Sequence, residues 1–269
     1  MNQITLQQER DAFSTSPDPA FLYRSGEHLS ILNRLEISIR LRQGLNIVVG
    51  DVGTGKTTLA RALIAAFSGE KEQYIFHMIL EPSFKTETQF LNHLTALFGI
   101  SPFNRSNIDH RRTVEKYLYK KYIEEGKTVA LIIDEGQRLA AEHFEILKTW
   151  IKFGENELPL LQLAIFVQTG SLDNCPMFDD VNVKHTLTPL DEYDTEKMIT
   201  FRLKKAGHPE AENLFTKEAI KKIHAFTRGY PRQTVFLCHR AMEQLAVNNQ
   251  RHVTAELIGK IIAEEMVFQ

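Results

Sequence analysis

Apolar residues along the chain follow two alternating patterns. Short, nearly continuous apolar runs at residues 45–49, 73–80, 129–133, 160–167 and 181–187 predict strands. Runs without polar alternation, above all Val129-Ala130-Leu131-Ile132-Ile133, suit strands buried on both faces of a parallel sheet. Between them, apolar residues recur every three or four positions and predict helices over 27–42, 58–67, 86–98, 109–125 and 139–153. Gly99, Gly126 and Gly154 stand as stop signals for the last three. After Pro189 the alternation ends and only helices are predicted, over 193–206, 217–227, 231–247 and 254–266. The expectation is an α/β core with a parallel sheet, over residues 43–188. An N-terminal leader and helix (1–42) precede it, and a small α-helical subdomain (189–269) follows.

Composition changes this picture little. Of 269 residues, 43% are hydrophobic and 25% charged, as in an ordinary globular protein with a sizeable core. With 32 basic and 34 acidic residues the net charge is −2, so no global positive field advertises nucleic acid. The two cysteines, Cys175 and Cys238, show no metal-ligand spacing and suit a reducing compartment. Residues 1–16 lack the apolar centre of a signal peptide, and no apolar run is long enough to span a bilayer. A cytoplasmic protein without direct membrane insertion is expected.

The first chemical signal is Gly50-Asp51-Val52-Gly53-Thr54-Gly55-Lys56-Thr57-Thr58, which matches the phosphate-binding pattern G-x-x-x-x-G-K-[ST] between a predicted strand and a predicted helix. A helix start offers unpaired N–H groups and a positive dipole end to a triphosphate. Glycines let the loop turn its N–H groups inward. Lys56 is expected on the β- and γ-phosphates and the Thr57 hydroxyl on Mg²⁺.

The second signal is Asp134-Glu135, directly after the most apolar run. Ligands of open α/β sheets bind beyond the carboxyl ends of the strands, so Asp134 is expected to hold Mg²⁺ and Glu135 to deprotonate the attacking water. Gln168 ends the next strand on the same side and is a candidate γ-phosphate sensor, or a turn residue. Arg232 follows Gly229-Tyr230-Pro231 at a predicted helix start, where a surface arginine is the alternative reading. The leader, with Phe21-Leu22-Tyr23 and the helix after it, brings aromatics near the phosphate loop in sequence; it either covers an adenine or is a helix packed on the sheet. His110-Arg111-Arg112 and the stretch from Lys116 to Lys121 mix cations with tyrosines; nucleic-acid contact is open there, with simple packing the favoured reading.

Taken in order, these pieces resemble the AAA+ ATPases, and more narrowly the ExeA type (general secretion pathway protein A). The resemblance rests on the leader residues Pro17-Asp18-Pro19-Ala20-Phe21-Leu22-Tyr23 with His28, on the phosphate loop, and on Ile133-Asp134-Glu135-Gly136-Gln137-Arg138-Leu139. It continues through Leu161-Gln162-Leu163, Leu187-Thr188-Pro189-Leu190, Arg202-Leu203-Lys204-Lys205-Ala206-Gly207 and Gly229-Tyr230-Pro231-Arg232, covering roughly residues 13–265. It implies ATP as nucleotide with Mg²⁺, Gln168 as sensor 1, Arg232 as sensor 2 on a helical lid, and a homo-oligomeric ring or filament in which a neighbour's arginine completes the site. Relatives tend to carry that arginine where this chain has Asp179-Asp180-Val181, so either another basic residue serves, with Lys184, Arg138 and Arg202 as candidates, or intrinsic hydrolysis is slow and needs a partner.

Three functions are compatible with the resemblance. One is an ATPase that couples ATP state to assembly of a secretion or envelope apparatus through a membrane-bound partner, since full-length ExeA-type proteins continue into a membrane span that these residues do not include. Another is a DNA-binding ATPase of the MuB or TniB kind, which recruits a transposase on double-stranded DNA. The third is a slowly hydrolysing, nucleotide-gated scaffold, against which the intact Glu135 argues.

Overall fold

A parallel sheet orders its strands β2-β3-β4-β1-β5, with β1 Leu45–Gly50, β2 Tyr74–Ile79, β3 Thr128–Ile133, β4 Leu161–Gln168 and β5 Lys184–Leu187. The computed structural model describes residues 11–267 apart from 15, 17, 103–105, 154–156, 158, 172–183 and 209. The expected strand over 181–187 is therefore described only from Lys184, and Asp179-Asp180-Val181, Gly154 and Cys175 lie outside the described residues.

Two compact units form: residues 27–51 with 59–187, and residues 1–26 with 52–58 and 188–269. The leader expected over 1–42 is thus divided near Gly26. In the first unit the sheet carries helices α1 Gly26–Arg40, α2 Lys56–Ala66 from Leu59 onward, α3 Glu87–Leu97, α4 Asn107–Tyr119 and α5 Ala141–Ile151. Every residue of β3 is buried, as a strand covered on both faces must be. On one face, alternate residues Ile47, Val49, Leu131, Ile133, Leu163 and Ile165 share a core with Phe90, Leu94, Leu118, Phe144 and Trp150. Side-chain capping starts two of these helices: Thr86 accepts from the Gln89 N–H and Ser106 from the Asp109 N–H. The expected helix over 109–125 ends sooner as an α-helix and widens into a π turn over Lys120–Glu124, with Tyr122 of that turn lying under the Arg42 guanidinium, 4.4 Å from the ring centre.

The second unit is helical, with α6 Glu192–Ala206, α7 Lys217–Thr227, α8 Pro231–Val247 and α9 Ala255–Val267. Its core joins Ile199, Leu203, Ile223, Leu237, Ala241 and Ile258 to Phe13 and Phe21 of the leader. Arg202 binds the leader to α6: its guanidinium donates to the carbonyls of Ala12 (2.7 Å), Ser14 (2.8 Å) and Phe21 (3.2 Å). Tyr23 donates to Asp194 at 2.9 Å. The leader aromatics therefore pack on the helical unit.

At Gly229 a close approach sets the start of α8. Its φ is +75°, its carbonyl accepts from the Leu190 N–H at 2.9 Å, and a Cβ there would fall 1.8 Å from the Leu190 oxygen. Gly229→Ala is expected to cost about 2–4 kcal/mol, because neither the backbone angle nor the space admits a side chain. Urea unfolding checks this: the midpoint should fall at an unchanged m-value.

Two histidines on the edge strands make stability pH-dependent. Burial holds His77 and His185 below the ordinary histidine range, and Arg34 adds to this at His185. Between the folded values and about 6.5, the unfolded chain binds the more protons, so stability is complete above that window and falls as pH drops through it. The urea midpoint should decline from neutral to mildly acidic pH, and His77→Gln with His185→Gln should flatten that decline.

Candidate nucleotide site

Gly50 is the last residue of β1 and pairs in register with Gln168 of β4 on one side and Leu187 of β5 on the other. The loop that follows turns at Gly53 (φ +87°) and Gly55 (φ +103°), angles that a residue with a Cβ avoids. Gly50 itself stays in extended backbone, so of the three loop glycines two supply the curl. Helix α2 then begins at Lys56 itself. Lys56 is 5% exposed and Thr54 fully buried, while Asp51, Gly53, Gly55, Thr57 and Thr58 are half-buried and Val52 is exposed. An ammonium kept out of bulk water at a helix start attracts phosphate with little dielectric screening.

Two carboxylates follow β3. The Asp134 N–H donates to the Ile79 carbonyl at 2.8 Å, extending the ladder one residue past the strand, and its side chain is buried. Its Oδ1 accepts from the Glu135 N–H at 3.1 Å. Glu135 sits in the left-handed region (φ 52°, ψ 39°), which is uncommon for a residue with a side chain and turns the chain sharply off the strand. A tight turn over Gly136–Arg138 comes next. Gly136 packs so closely on β4 that a Cβ would fall 2.1 Å from the Ile165 methyl.

That turn brings back a residue that spacing alone did not single out. The Gln137 Nε2 donates to Glu135 Oε2 at 2.5 Å, and its Oε1 accepts from the Gln168 N–H at 3.1 Å. Gln137 stands in the motif quoted from the sequence, but nothing local to it signals that it touches a strand thirty residues on. Gly50, Asp134, Glu135 and Gln168 thus gather at the carboxyl ends of neighbouring strands, where an open α/β sheet binds its ligand.

In the helical unit, the Arg232 N–H at the start of α8 donates to the Gly53 carbonyl at 3.1 Å. A Cβ on Gly53 would stand 3.1 Å from the Arg232 Cβ, so the first turn of α8 rests on the phosphate loop. Three other cations were candidates for completing a neighbour's site. Arg202 is engaged in holding the leader. Arg138 is half-exposed and 3.8 Å from Glu81. Lys184 is exposed and lines an open cleft with Glu27, Arg34 and His185.

Along α4, His110 is buried and Arg111 pairs with Glu87 at 3.0 Å. Past the helix, Lys121 pairs with Glu125 at 2.8 Å. Arg112, Lys116, Tyr119 and Lys120 are exposed and recur at helical spacing.

The AAA domain family matches residues 39–175, just over half of the chain, from the end of α1 through β4. The chain is 28% identical over 236 residues to general secretion pathway protein A of Aeromonas hydrophila, covering 86% of this chain and 42% of that protein. It therefore spans under half the length of that relative. Drosophila ORC bound to DNA superposes with a TM-score of 0.72 at 18% identity, covering 99% of this chain and 68% of that one. The Aeropyrum pernix ORC2 protein, solved with ADPNP and ADP, gives 0.70 at 17% identity over 95% and 71%. With the family match over residues 39–175 and a parallel sheet of this strand order, the chain belongs to the AAA family and is an ATPase with the P-loop AAA+ fold.

Proposed function

We propose that the chain hydrolyses ATP with Glu135 as general base, and that as a homo-oligomer it couples ATP state to assembly of a larger machine of the secretion or envelope kind. The observation that carries the assembly reading is the match to general secretion pathway protein A over 86% of the chain. The catalytic reading draws its support from the Glu135 carboxylate at the end of β3, tied by Gln137 to Gln168 at the end of the neighbouring β4, which in turn pairs with Gly50 of β1.

Backbone N–H groups from Gly50 to Thr58, with Lys56, hold the phosphates. A water attacks the γ-phosphorus, its proton passes to Glu135, and the bond to the β–γ bridging oxygen breaks with its electrons going to ADP. Gln168 senses the γ-phosphate. Arg232 acts as the sensor of the helical lid, a role supported by the seat of its backbone on Gly53.

Thr57 in the first turn of α2 and buried Asp134 are hard oxygen donors that fit Mg²⁺. Among the described residues no group of three or more His, Cys, Asp or Glu could cage a metal, which suits an ion that completes its shell with phosphates and water. When bound, Mg²⁺ would neutralise charge on the β- and γ-oxygens.

A second reading, a DNA-binding regulator that recruits a transposase, draws on the exposed Arg112, Lys116, Tyr119 and Lys120 of one helical face. Among the described residues, no helix is long and apolar enough to cross a membrane, so a membrane-bound partner in the first reading would be a separate segment or chain.

Two mutants test the site. Lys56→Ala should weaken ATP binding by about 10-fold or more, since a charge-assisted contact is lost. Glu135→Gln should keep ATP affinity while turnover falls about 100-fold, because the base is gone and the cradle remains. Retained turnover in Glu135→Gln would overturn the base assignment.

ATPase rate across protein concentration, with and without double-stranded DNA, separates the two readings. A rate per subunit that rises with concentration and ignores DNA supports machine assembly. Stimulation by DNA that fades with salt and disappears in Arg112→Ala/Lys116→Ala/Lys120→Ala supports the transposition reading.

A further inference from the structure

We infer that Gln137 is a positioning residue for ATP hydrolysis: its amide clamps the Glu135 carboxylate and ties it to the end of β4. The inference rests on reading Glu135 as the general base.

Both ends of the Gln137 amide are committed. Its Nε2 donates to Glu135 Oε2 at 2.5 Å, and its Oε1 accepts from the Gln168 backbone N–H at 3.1 Å. A carboxylate only accepts and a backbone N–H only donates, so the partners themselves dictate which way the amide faces. A flipped amide would set oxygen against oxygen at one end and N–H against N–H at the other.

Glutamate needs such a clamp here. Its side chain has three torsions, and Glu135 leaves the strand in a left-handed backbone conformation rather than from the rigid ladder. The backbone beneath it is confined, because Gly136 lies against Ile165 with no room for a Cβ. That confinement does not reach the carboxylate; the Gln137 bond does. It takes one oxygen only, and Oε1 makes no hydrogen bond among the described residues. One oxygen is held by the protein and the other is left to accept from a water.

The second end of the clamp has a consequence for β4. Gln168, the candidate γ-phosphate sensor, gives its backbone N–H to the amide that holds the base. A displacement of the end of β4 is therefore passed to Glu135 through two hydrogen bonds and one side chain. Gln137 does not touch the reacting atoms in this scheme. It sets where the base stands.

The test uses the full chain, with kcat, KM for ATP and nucleotide affinity measured for Gln137→Leu, Gln137→Glu and Glu135→Gln at one protein concentration. Gln137→Glu retains an oxygen for the Gln168 N–H and sets a carboxylate against Glu135, so it breaks one end of the clamp alone. Both Gln137 variants should lose about 10- to 100-fold in kcat, as displaced catalytic groups do, with KM and nucleotide affinity within about threefold of the parent. Should Gln137→Leu be too unstable to purify, Gln137→Glu alone decides. Parental kcat in the Gln137 variants beside an inactive Glu135→Gln would overturn the clamp and leave the base standing. A kcat above the parent's would overturn it too, by showing that the amide parks the base away from the water. Turnover retained in Glu135→Gln would remove the base assignment and the clamp with it.

Discussion

A parallel strand buried on both faces can carry almost no polar side chains along its length, and this constraint organises the protein. Its polar chemistry has to begin where the strand stops. Here β3 is buried from end to end, and the first residue beyond it is Asp134. β1 ends at Gly50 and passes straight into the phosphate loop, and β4 ends at Gln168. Because the strands are parallel and in register, these three endings fall along one rim of the sheet. Gly50, the Asp134 and Glu135 carboxylates and Gln168 are neighbours for the same reason that the core is dry.

Within each unit, one glycine permits a close approach that fixes a turn. Gly136 against Ile165 and Gly229 against Leu190 each leave no space for a Cβ. The first confines the turn that carries Glu135; the second sets the start of the helix that carries Arg232. Glycine is needed at both places because another element occupies the volume a side chain would take. The hydrogen bonds of Gln137 and of the Arg232 N–H then join these turns to β4 and to the phosphate loop, respectively.

Arginine serves different ends in different surroundings. Arg202 gives its guanidinium to three leader carbonyls, and burial lowers its pKa from the ordinary value. Arg111 is paired with Glu87, while Arg112 beside it is exposed. A count of cations in the sequence weights these residues equally. Their partners separate those that hold the fold from those that can meet another molecule.

The sequence by itself determined the strands and helices, their alternation, the phosphate loop, the Asp134-Glu135 pair and the change to an all-helical end. These features are written in local periodicity and in residues adjacent along the chain, which hydrophobic burial and phosphate chemistry constrain directly. Only the tertiary structure decided where the leader goes, that Arg202 is committed to it, that α8 rests on Gly53, and that Gln137 joins Glu135 to Gln168. Each of these is a contact between residues far apart in sequence. A side chain's choice of partner depends on what packing places within hydrogen-bond reach, and no local pattern encodes that.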